Sequence, residues 1–432
     1  MIAKTKVIPN IVNLPKDLET IKVLDPEYVY IATDNARCPK SDVYIQEGDE
    51  VKLYQEIGMR HGPFFDQPIH ATVSGTFVGY ETHCYRNGKP IKFIKIKNDF
   101  KDTPAESAKE RTDEEIKALS KDDMTKIIAN MSNVGLGGSS FPTAVKFQTK
   151  DKIEHILINA IECEPYLNAD HRAMLEVPDQ IIAGLHYIMQ AFECNDCIIC
   201  IKKKYHDLYD AYTKVLENEP NIRVQKLENY YPQGWEVAMI KECLGIKLKT
   251  GELPAKRGII NFNISTVIGI YKAIKLNQPV IERDITVNGD GIKQPMNFRV
   301  RVGTPIRPLI DKYCGGYVDP EKPKVFILGG PMMGASEPSD DCVVSKTVTS
   351  CLVLNERKYV EEPCVRCGSC VYSCPVGLEP VQIMNAVKVM DKERIKALNP
   401  LRCIECGLCT YSCTSKIKVT DFVRRAKVFA KL

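Results

Sequence analysis

Between residues 43 and 78 the chain alternates short β-branched runs with polar turns. Gln46-Glu47-Gly48-Asp49-Glu50-Val51 is followed by Pro68-Ile69-His70-Ala71-Thr72-Val73-Ser74-Gly75-Thr76, with Gly-Asp and Ser-Gly at the breaks. Such runs read as strands joined by tight turns, so residues 1–98 are expected to be all-β. The pattern changes at residue 99, where a charged stretch to 122 reads as a linker running into a helix. Asp113-Glu114-Glu115 supplies the acidic first turn that a helix start favours, and the helix is expected to reach about Met131. Two apolar strands follow, His155-Ile156-Leu157-Ile158-Asn159 and Cys197-Ile198-Ile199-Cys200-Ile201. Ile260-Asn261-Phe262-Asn263-Ile264-Ser265-Thr266 repeats the arrangement of the first, an apolar strand that ends in polar residues. Toward the carboxyl end, residues 381–396 carry Ile383, Met384, Val387, Val389 and Met390, enough for one buried helical face. The tail 416–432 sets Val419, Phe422, Val423, Ala426, Val428 and Phe429 among basic residues. Its expected fate is a core-packed helix with a solvated basic face, ahead of docking to a partner or an anionic membrane surface. The fold class is multidomain, α/β plus β.

At 432 residues the chain has room for about three domains. A net charge of +4 and a pI near 8.2 give no basic field of the kind nucleic acid requires. No run of eighteen apolar residues offers a transmembrane helix. Met1-Ile2-Ala3-Lys4, followed by Pro9 and Asn10, has no apolar secretory core. The expected place is the cytoplasm, peripheral at most on the cytoplasmic face of the cell membrane, with membrane contact only through partners.

Cysteine placement narrows the chemistry. Eight of eighteen cysteines lie in the last seventy residues, in two copies of one spacing. Cys364, Cys367, Cys370 and Cys374-Pro375 form the first; Cys403, Cys406, Cys409 and Cys413 form the second. This is the ligand run of two four-iron, four-sulfur clusters. Three thiolates two residues apart wrap one face of a cluster from a single turn, while the fourth is carried onto the next helix toward the other cluster. Cys364, Cys367 and Cys370 are therefore expected to share a cluster with Cys413, and Cys403, Cys406 and Cys409 with Cys374. Zinc sites use paired Cys-x2-Cys rather than two runs of four. Thr414 stands where the second run would carry a proline. Cys194, Cys197 and Cys200 mimic the spacing, but an offset of three along a strand sends Cys197 and Cys200 to opposite faces.

Gly135-Leu136-Gly137-Gly138-Ser139-Ser140-Phe141-Pro142-Thr143-Ala144-Val145-Lys146 is the second informative segment. Glycines let backbone amides approach a phosphate, and a lysine can neutralise it. The strand at 155–159 runs into Ala160-Ile161-Glu162-Cys163-Glu164-Pro165-Tyr166, polar residues at a strand's carboxyl end where α/β folds bind ligands.

Together these segments resemble the flavin subunit of respiratory complex I and its relative in the Rnf electron transport complex, the C subunit or RnfC. Tyr231-Pro232-Gln233-Gly234, Gly329-Gly330-Pro331-Met332-Met333-Gly334 and the paired cysteine runs occur in the order of RnfC. The resemblance implies a barrel-sandwich hybrid domain over 1–98, related to lipoyl and biotinyl carriers. The tip where a carrier lysine would sit reads His61-Gly62-Pro63-Phe64-Phe65-Asp66, so docking or scaffolding is expected there. His70 is expected to be packed rather than a ligand. The resemblance further implies a Rossmann-like FMN- and nucleotide-binding α/β domain over 99–283. A β-grasp (SLBB) module follows over 284–345, then an α-helical two-cluster ferredoxin domain over 346–432. Gly135, Gly137, Gly138 and Lys146 would hold the FMN phosphate. Phe141 would lie near the nicotinamide ring, Asn159 and Asn263 would hydrogen-bond the flavin, and Glu162 would lie near the nicotinamide amide. Glu164-Pro165 is expected to be a structural turn, and Cys163 structural. The implied activity is hydride transfer from NADH to FMN and one-electron passage through two [4Fe-4S] clusters to other electron-transfer subunits or an acceptor enzyme, ultimately ferredoxin in an ion-translocating membrane complex. No acid–base dyad is needed.

Three departures keep other acceptors open. Ile161 stands where the complex I protein has an acidic residue. Lys202-Lys203-Lys204 stands where NADH-using relatives tend to carry an acid for the ribose, which suits a phosphate or a solvated loop better. The Gly-Gly-x-His-Pro segment expected near the amino end of RnfC is absent. Soluble flavin and iron–sulfur relatives that serve cobalamin or proline reductase, and an electron-relay adaptor without nucleotide binding, are the alternative readings.

Overall fold

In a computed structural model, which describes residues 15–85 and 89–431, the alternation of the first hundred residues becomes two small antiparallel sheets. The expectations for Met1–Lys4, Pro9 and Asn10 lie outside the described residues. One sheet orders Tyr28–Ala32, Lys89–Asn98, Gly75–Tyr85 and Glu50–Val51; the other orders Lys40–Val43, Glu56–His61 and Asp66–His70. Alternate residues of Tyr28–Ala32 turn inward, and Val29 and Ile31 meet Ile57, Ile69, Val73 and Phe77 between the sheets. Residues 62–65 form the hairpin tip, with Phe64 exposed. His70 is buried, and that burial pushes its imidazole down to about 3, so it is a neutral packed ring.

The single helix expected from Asp113 to Met131 is two, Asp113–Lys117 and Lys121–Asn130. Each opens on its own capping box, Thr112 with Glu115 and Ser120 with Asp123. The second Ser-x-x-acid signal lies inside the charged run, and it ends one helix by starting the next.

Four parallel strands then form a sheet in the order Ile222–Leu227, Cys197–Lys202, His155–Ala160, Ile259–Asn263. Helices Pro178–Phe192 and Ile264–Leu276 cover one face, and Glu236–Leu244 the other. Burial on both faces explains why these strands read as unbroken apolar runs. Cys197 enters one core and Cys200 the other, as a period of two requires. In chain order the strands run third, second, first, fourth, so the order reverses between His155–Ala160 and Ile259–Asn263. A crevice opens beyond the carboxyl ends of strands at such a reversal.

A six-stranded sheet follows, ordered Ile21–Val23, Met296–Arg301, Glu282–Asn288, Ser350–Asn355, Lys324–Leu328, Ala335–Glu337. Three of its strands break the expected domain boundaries, Glu282–Asn288 by straddling the division at 283/284. Ile21–Val23 pairs with Met296–Arg301 rather than with the amino-terminal sheets, and Ser350–Asn355 lies beyond residue 345. Helix Ile306–Tyr313 covers this sheet through Ile306, Leu309 and Ile310.

The carboxyl-terminal segment is helical. The helix expected over 381–396 breaks at Met390, whose φ is +55°, and Asp391 caps a new helix Lys392–Ala397 through the Arg394 N–H. The tail helix Val419–Phe429 buries Val423 and Ala426 against Ile383, Val387 and Ile395, with Val428 and the basic residues Arg424 and Arg425 outside. Among the described residues no helix is long and apolar enough to cross a membrane.

Candidate functional site

Asn159 and Asn263 are paired in register at the carboxyl ends of the two strands that flank the reversal. The glycine-rich loop closes over them. Its ends are tied by Gly135 N–H to the Phe141 carbonyl (2.7 Å) and Ser140 N–H to the Gly135 carbonyl (3.1 Å). Leu136 N–H donates to Thr266 Oγ1 at 2.9 Å, which fixes the loop to the helix that follows Asn263. A Cβ on Gly137 would lie 2.9 Å from Asn263 Cγ, so only glycine lets the backbone lie on that carboxamide. Gly138 has a φ of +101°, and a Cβ there would meet nothing within 4 Å. The loop thus turns backbone toward open space at the crevice, a cradle of the kind a phosphate-bearing cofactor fits.

The two asparagines are engaged differently. Asn159 Nδ2 donates to the Gly234 carbonyl at 2.9 Å and Oδ1 accepts from Ile161 N–H at 3.2 Å, leaving one N–H and one lone pair for a ligand. Asn263 Oδ1 caps its helix through Ser265 N–H, while Nδ2 points at Asp170 Oδ2 (2.7 Å) and the Asn159 carbonyl (3.4 Å). Asn263 therefore meets the crevice through Gly137. Lys146 Nζ donates to the Asn261 carbonyl at 2.7 Å, and burial pushes its ammonium below the usual range. Phe141 is half-buried, with the Arg37 guanidinium 5.6 Å over its ring and donating to the Ser139 carbonyl at 3.0 Å.

Glu162 sits at a φ of +43° and turns its carboxylate onto the start of helix Ala169–Glu176. Oε1 accepts from Asp170 N–H at 3.2 Å and Oε2 from His171 N–H at 3.4 Å. Burial, and then the charge of Asp170, pushes its carboxyl up to about 8. Lys202 is buried, donates from Nζ to the Glu162 carbonyl at 2.6 Å, and is pushed down to about 8 chiefly by burial. Of the lysine cluster, Lys202 faces inward, Lys203 pairs with Glu228 at 2.9 Å, and Lys204 is exposed. Burial raises the Cys163 thiol to about 11, as for an inert packed cysteine.

Three segments meet the ends of these strands. Glu164 Oε2 accepts from Met332 N–H at 3.0 Å, and a Cβ on Gly330 would lie 2.3 Å from the Glu164 carboxylate, so Glu164 clamps the 329–334 loop. The 231–234 loop, with a cis Tyr231–Pro232 bond, carries Gly234 against Asn159 and Cys163 at one end. At its other end Tyr231, 1% exposed, donates its hydroxyl to the Cys406 carbonyl at 2.9 Å. Tyr231, Cys406, Leu408, Cys163, Met332 and Ile404 form one apolar cluster.

Around Cys406 the thiols of Cys374, Cys403, Cys406 and Cys409 line one pocket with Leu378, Leu408, Thr420 and Val423. Its fourth thiol comes from the first cysteine run. Backbone N–H groups point at sulfur, from Leu378 to Cys374 (3.3 Å), Glu405 to Cys403 (3.3 Å) and Ile417 to Cys413 (3.4 Å). Cys364 and Cys367 are exposed; Cys367 Sγ lies 3.8 Å from Thr414 Oγ1, beside Cys413. Among the described residues no three acids, histidines or cysteines converge closely enough to hold a single metal ion, and no cysteine is in a disulfide. Four thiols spaced around a cuboidal cluster stand farther apart than ligands of one ion.

Sequence reasoning missed Arg37, Asp170, Tyr231 as a contact, and the inward turn of Lys202. Only the quoted Tyr-Pro-Gln-Gly segment carried a signal for any of them.

Residues 9–101 match the model of the RnfC barrel sandwich hybrid domain, 128–272 the Nuo51 FMN-binding domain, 285–336 the SLBB domain and 356–417 the 4Fe-4S dicluster domain. The chain is 35% identical over 93% of its length to the C subunit of the proton-translocating ferredoxin:NAD(+) oxidoreductase complex of Clostridium ljungdahlii, covering 88% of that protein. It is 33% identical over 78% of its length to the C subunit of the Na(+)-translocating complex of Acetobacterium woodii, covering 76% of that protein. A solved NAD+-reducing [NiFe]-hydrogenase aligns with 72% of this chain and 61% of its own at 13% identity, with a TM-score of 0.49. With four domain models in register along it and C-subunit relatives over most of its length, the chain belongs to the RnfC family of the Rnf complex, an oxidoreductase component with flavin and iron–sulfur domains.

Proposed function

We propose that the chain exchanges hydride between NADH and FMN at the crevice, and passes single electrons through two [4Fe-4S] clusters to or from a partner protein. FMN supplies the two-electron to one-electron conversion, and each cluster carries one electron at a time. The chain's own work is positioning. The backbone at Gly135, Gly137 and Gly138 cradles the phosphate, with Lys146 as the nearby half-buried ammonium. Asn159 offers its free N–H and lone pair to the flavin ring, and Asn263 holds Gly137 in place. Phe141 and Glu162 border the nicotinamide. Cys374, Cys403, Cys406 and Cys409 hold one cluster; Cys364, Cys367, Cys370 and Cys413 hold the other. The N–H groups aimed at sulfur tune the potentials.

The observation that carries this reading is the 231–234 loop, which touches Asn159 through Gly234 and the Cys406 carbonyl through Tyr231. One four-residue segment joins the flavin crevice to a four-thiol pocket. The relatives' names add ferredoxin, NAD(+) and ion translocation, and in this chain they suggest a peripheral component on the cytoplasmic face of a membrane complex. The test is anaerobic. The protein is reconstituted with iron, sulfide and FMN, then mixed with NADH or NADPH while the visible spectrum is recorded. Flavin bleaching followed by cluster reduction supports the path. Flavin that binds and stays oxidised with both nucleotides refutes it and favours the relay adaptor.

A further inference from the structure

Cys200 and Cys243 form a thiol pair that lies outside the path between crevice and cluster pocket. Cys200 lies in strand Cys197–Lys202, in register with Asn159 on one side and Gln225 on the other, and is fully buried. Cys243 is half-buried in the last turn of helix Glu236–Leu244, in the core that this helix shares with the strand. The sulfurs stand 3.8 Å apart, with the Cys200 S–H donating to the Cys243 sulfur. Gln225 holds Cys243 in place from the neighbouring strand. Its Oε1 accepts from the Cys243 S–H at 3.2 Å, and its Nε2 donates to the Cys243 carbonyl at 3.4 Å. The Cys200 contact holds the Cys243 thiol below its ordinary value, against burial and with help from the Arg223 charge. The same contact, with burial, raises Cys200. The helix ends at the next residue, and a Cβ on Gly245, at a φ of +72°, would meet nothing within 4 Å, so the helix end has space to shift. Among the described residues no third acid, histidine or cysteine joins the two sulfurs to make a metal site.

We propose that Cys243 and Cys200 are a thiol modification site, closed to a reversible disulfide by a low-molecular-weight disulfide. Cys243 is the reachable nucleophile and Cys200 the buried thiol beside it, the arrangement of an attacking and a resolving cysteine. The Cys243 thiolate attacks one sulfur of the small disulfide, which forms a mixed disulfide and releases one small thiolate. Cys200 then gives up its proton and attacks the Cys243 sulfur, and the second small thiolate leaves. Two protein thiols lose two electrons, the small disulfide gains them, and the two protein protons end on the two small thiols. The sulfurs close from 3.8 Å to a bond of about 2 Å, a movement the open helix end accommodates. Helix Glu236–Leu244 follows the 231–234 loop, and Lys202, at the end of the Cys200 strand, bonds the Glu162 carbonyl. The disulfide therefore pins the helix behind that loop to a strand that ends at the crevice. Intracellular disulfides of this kind are transient and redox-sensing, and exchange with a reducing dithiol reopens them.

The probe is oxidised glutathione, incubated anaerobically with the iron-loaded full chain. Free thiols are then alkylated, and the chain is digested without reduction for peptide mass mapping. A peptide pair joined through Cys200 and Cys243 is expected, and dithiothreitol should release it. Cys342 and Cys351 are the internal control. Their thiols are also hydrogen-bonded to each other, but they are 1% and 0% exposed, so their bridge should form at least roughly tenfold more slowly. Hydrogen exchange of the peptide spanning 236–244 should slow at least about threefold in the oxidised chain. Cys200→Ala should stop at the mixed disulfide on Cys243. The bridged peptide is read on the unaltered chain, so a Cys200→Ala chain that fails to fold leaves the test intact. Cys243 recovered alkylated, a mixed disulfide that persists on it in the unaltered chain, or a bridge no faster than that of Cys342 and Cys351 overturns the proposal. Unchanged exchange over 236–244 overturns it too, as does a bridge that appears only as iron is lost. None of these readings depends on nucleotide chemistry at the crevice.

Discussion

Replacing Tyr231 with phenylalanine tests the junction between the two cofactor regions. The ring keeps its place, and the change removes one hydroxyl from a residue 1% exposed, leaving the Cys406 carbonyl without its 2.9 Å donor. A buried acceptor left unpaired costs about 1–3 kcal/mol. In a multidomain chain one global melting midpoint is a poor gauge, and local opening is the quantity to measure. Native-state hydrogen exchange on the peptide spanning 403–408 should speed up about five- to hundredfold in the iron-loaded variant. Tyr212→Phe is the matched control. It deletes an equally buried hydroxyl, bonded to the Met174 carbonyl at 3.1 Å inside the flavin domain, and should leave the 403–408 peptide unchanged. An exchange rate for Tyr231→Phe within about twofold of the parent would refute the claim that this bond holds the cluster loop to the flavin domain.

Cys374→Ser should deplete the cluster bound by Cys403, Cys406 and Cys409, and Cys413→Ser the other, each removing about half of the iron; iron analysis with electron paramagnetic resonance tells the two apart, and the opposite assignment would show uncrossed ligation. Gly137→Ala should weaken FMN binding roughly tenfold or more in a fluorescence-quenching titration, because its Cβ would lie 2.9 Å from an Asn263 already held by Asp170. Glu162 carries a carboxyl raised from 4.5 to about 8, so the folded state binds its proton more tightly than the unfolded chain does. Its contribution is therefore full below pH 4.5 and lost as pH rises through about 8. Glu162→Gln should match the parent at pH 5 and exceed it at pH 9 by on the order of 2 kcal/mol in denaturant titrations, and a parent more stable at pH 9 would reverse the sign.

The parts of the candidate site that reside in local spacing were legible in the sequence. The cysteine runs, the glycine loop and the polar ends of the strands are patterns a short window contains, and Cys197 and Cys200 follow from the strand period alone. Two helix ends escaped because apolar periodicity continues across Ser120 and Met390, where a capping side chain and a left-handed residue break the backbone. What no window contains is pairing across distance. Tyr231 meets Cys406 across 175 residues, Arg37 meets Ser139 across 102, and Ile21–Val23 pairs with a strand that begins only at Met296. The hydroxyl or guanidinium that makes such a bond fits many acceptors equally well, so its identity does not name its partner. Lys202 shows the same limit: a run of three lysines reads as solvated, yet the strand's last inward position takes the first of them.

The Tyr231–Cys406 contact also orders events in time. Synthesis completes the glycine loop, both asparagine-bearing strands and the 231–234 loop well before residue 406 leaves the ribosome. The flavin crevice is thus built while the wall that Cys406 and Met332 later complete is missing. Under the cluster assignment proposed above, its last partner would fold around iron and sulfide. On that assignment, a chain lacking iron would leave the apolar faces of Tyr231 and Cys163 without their cover from Cys406 and Leu408.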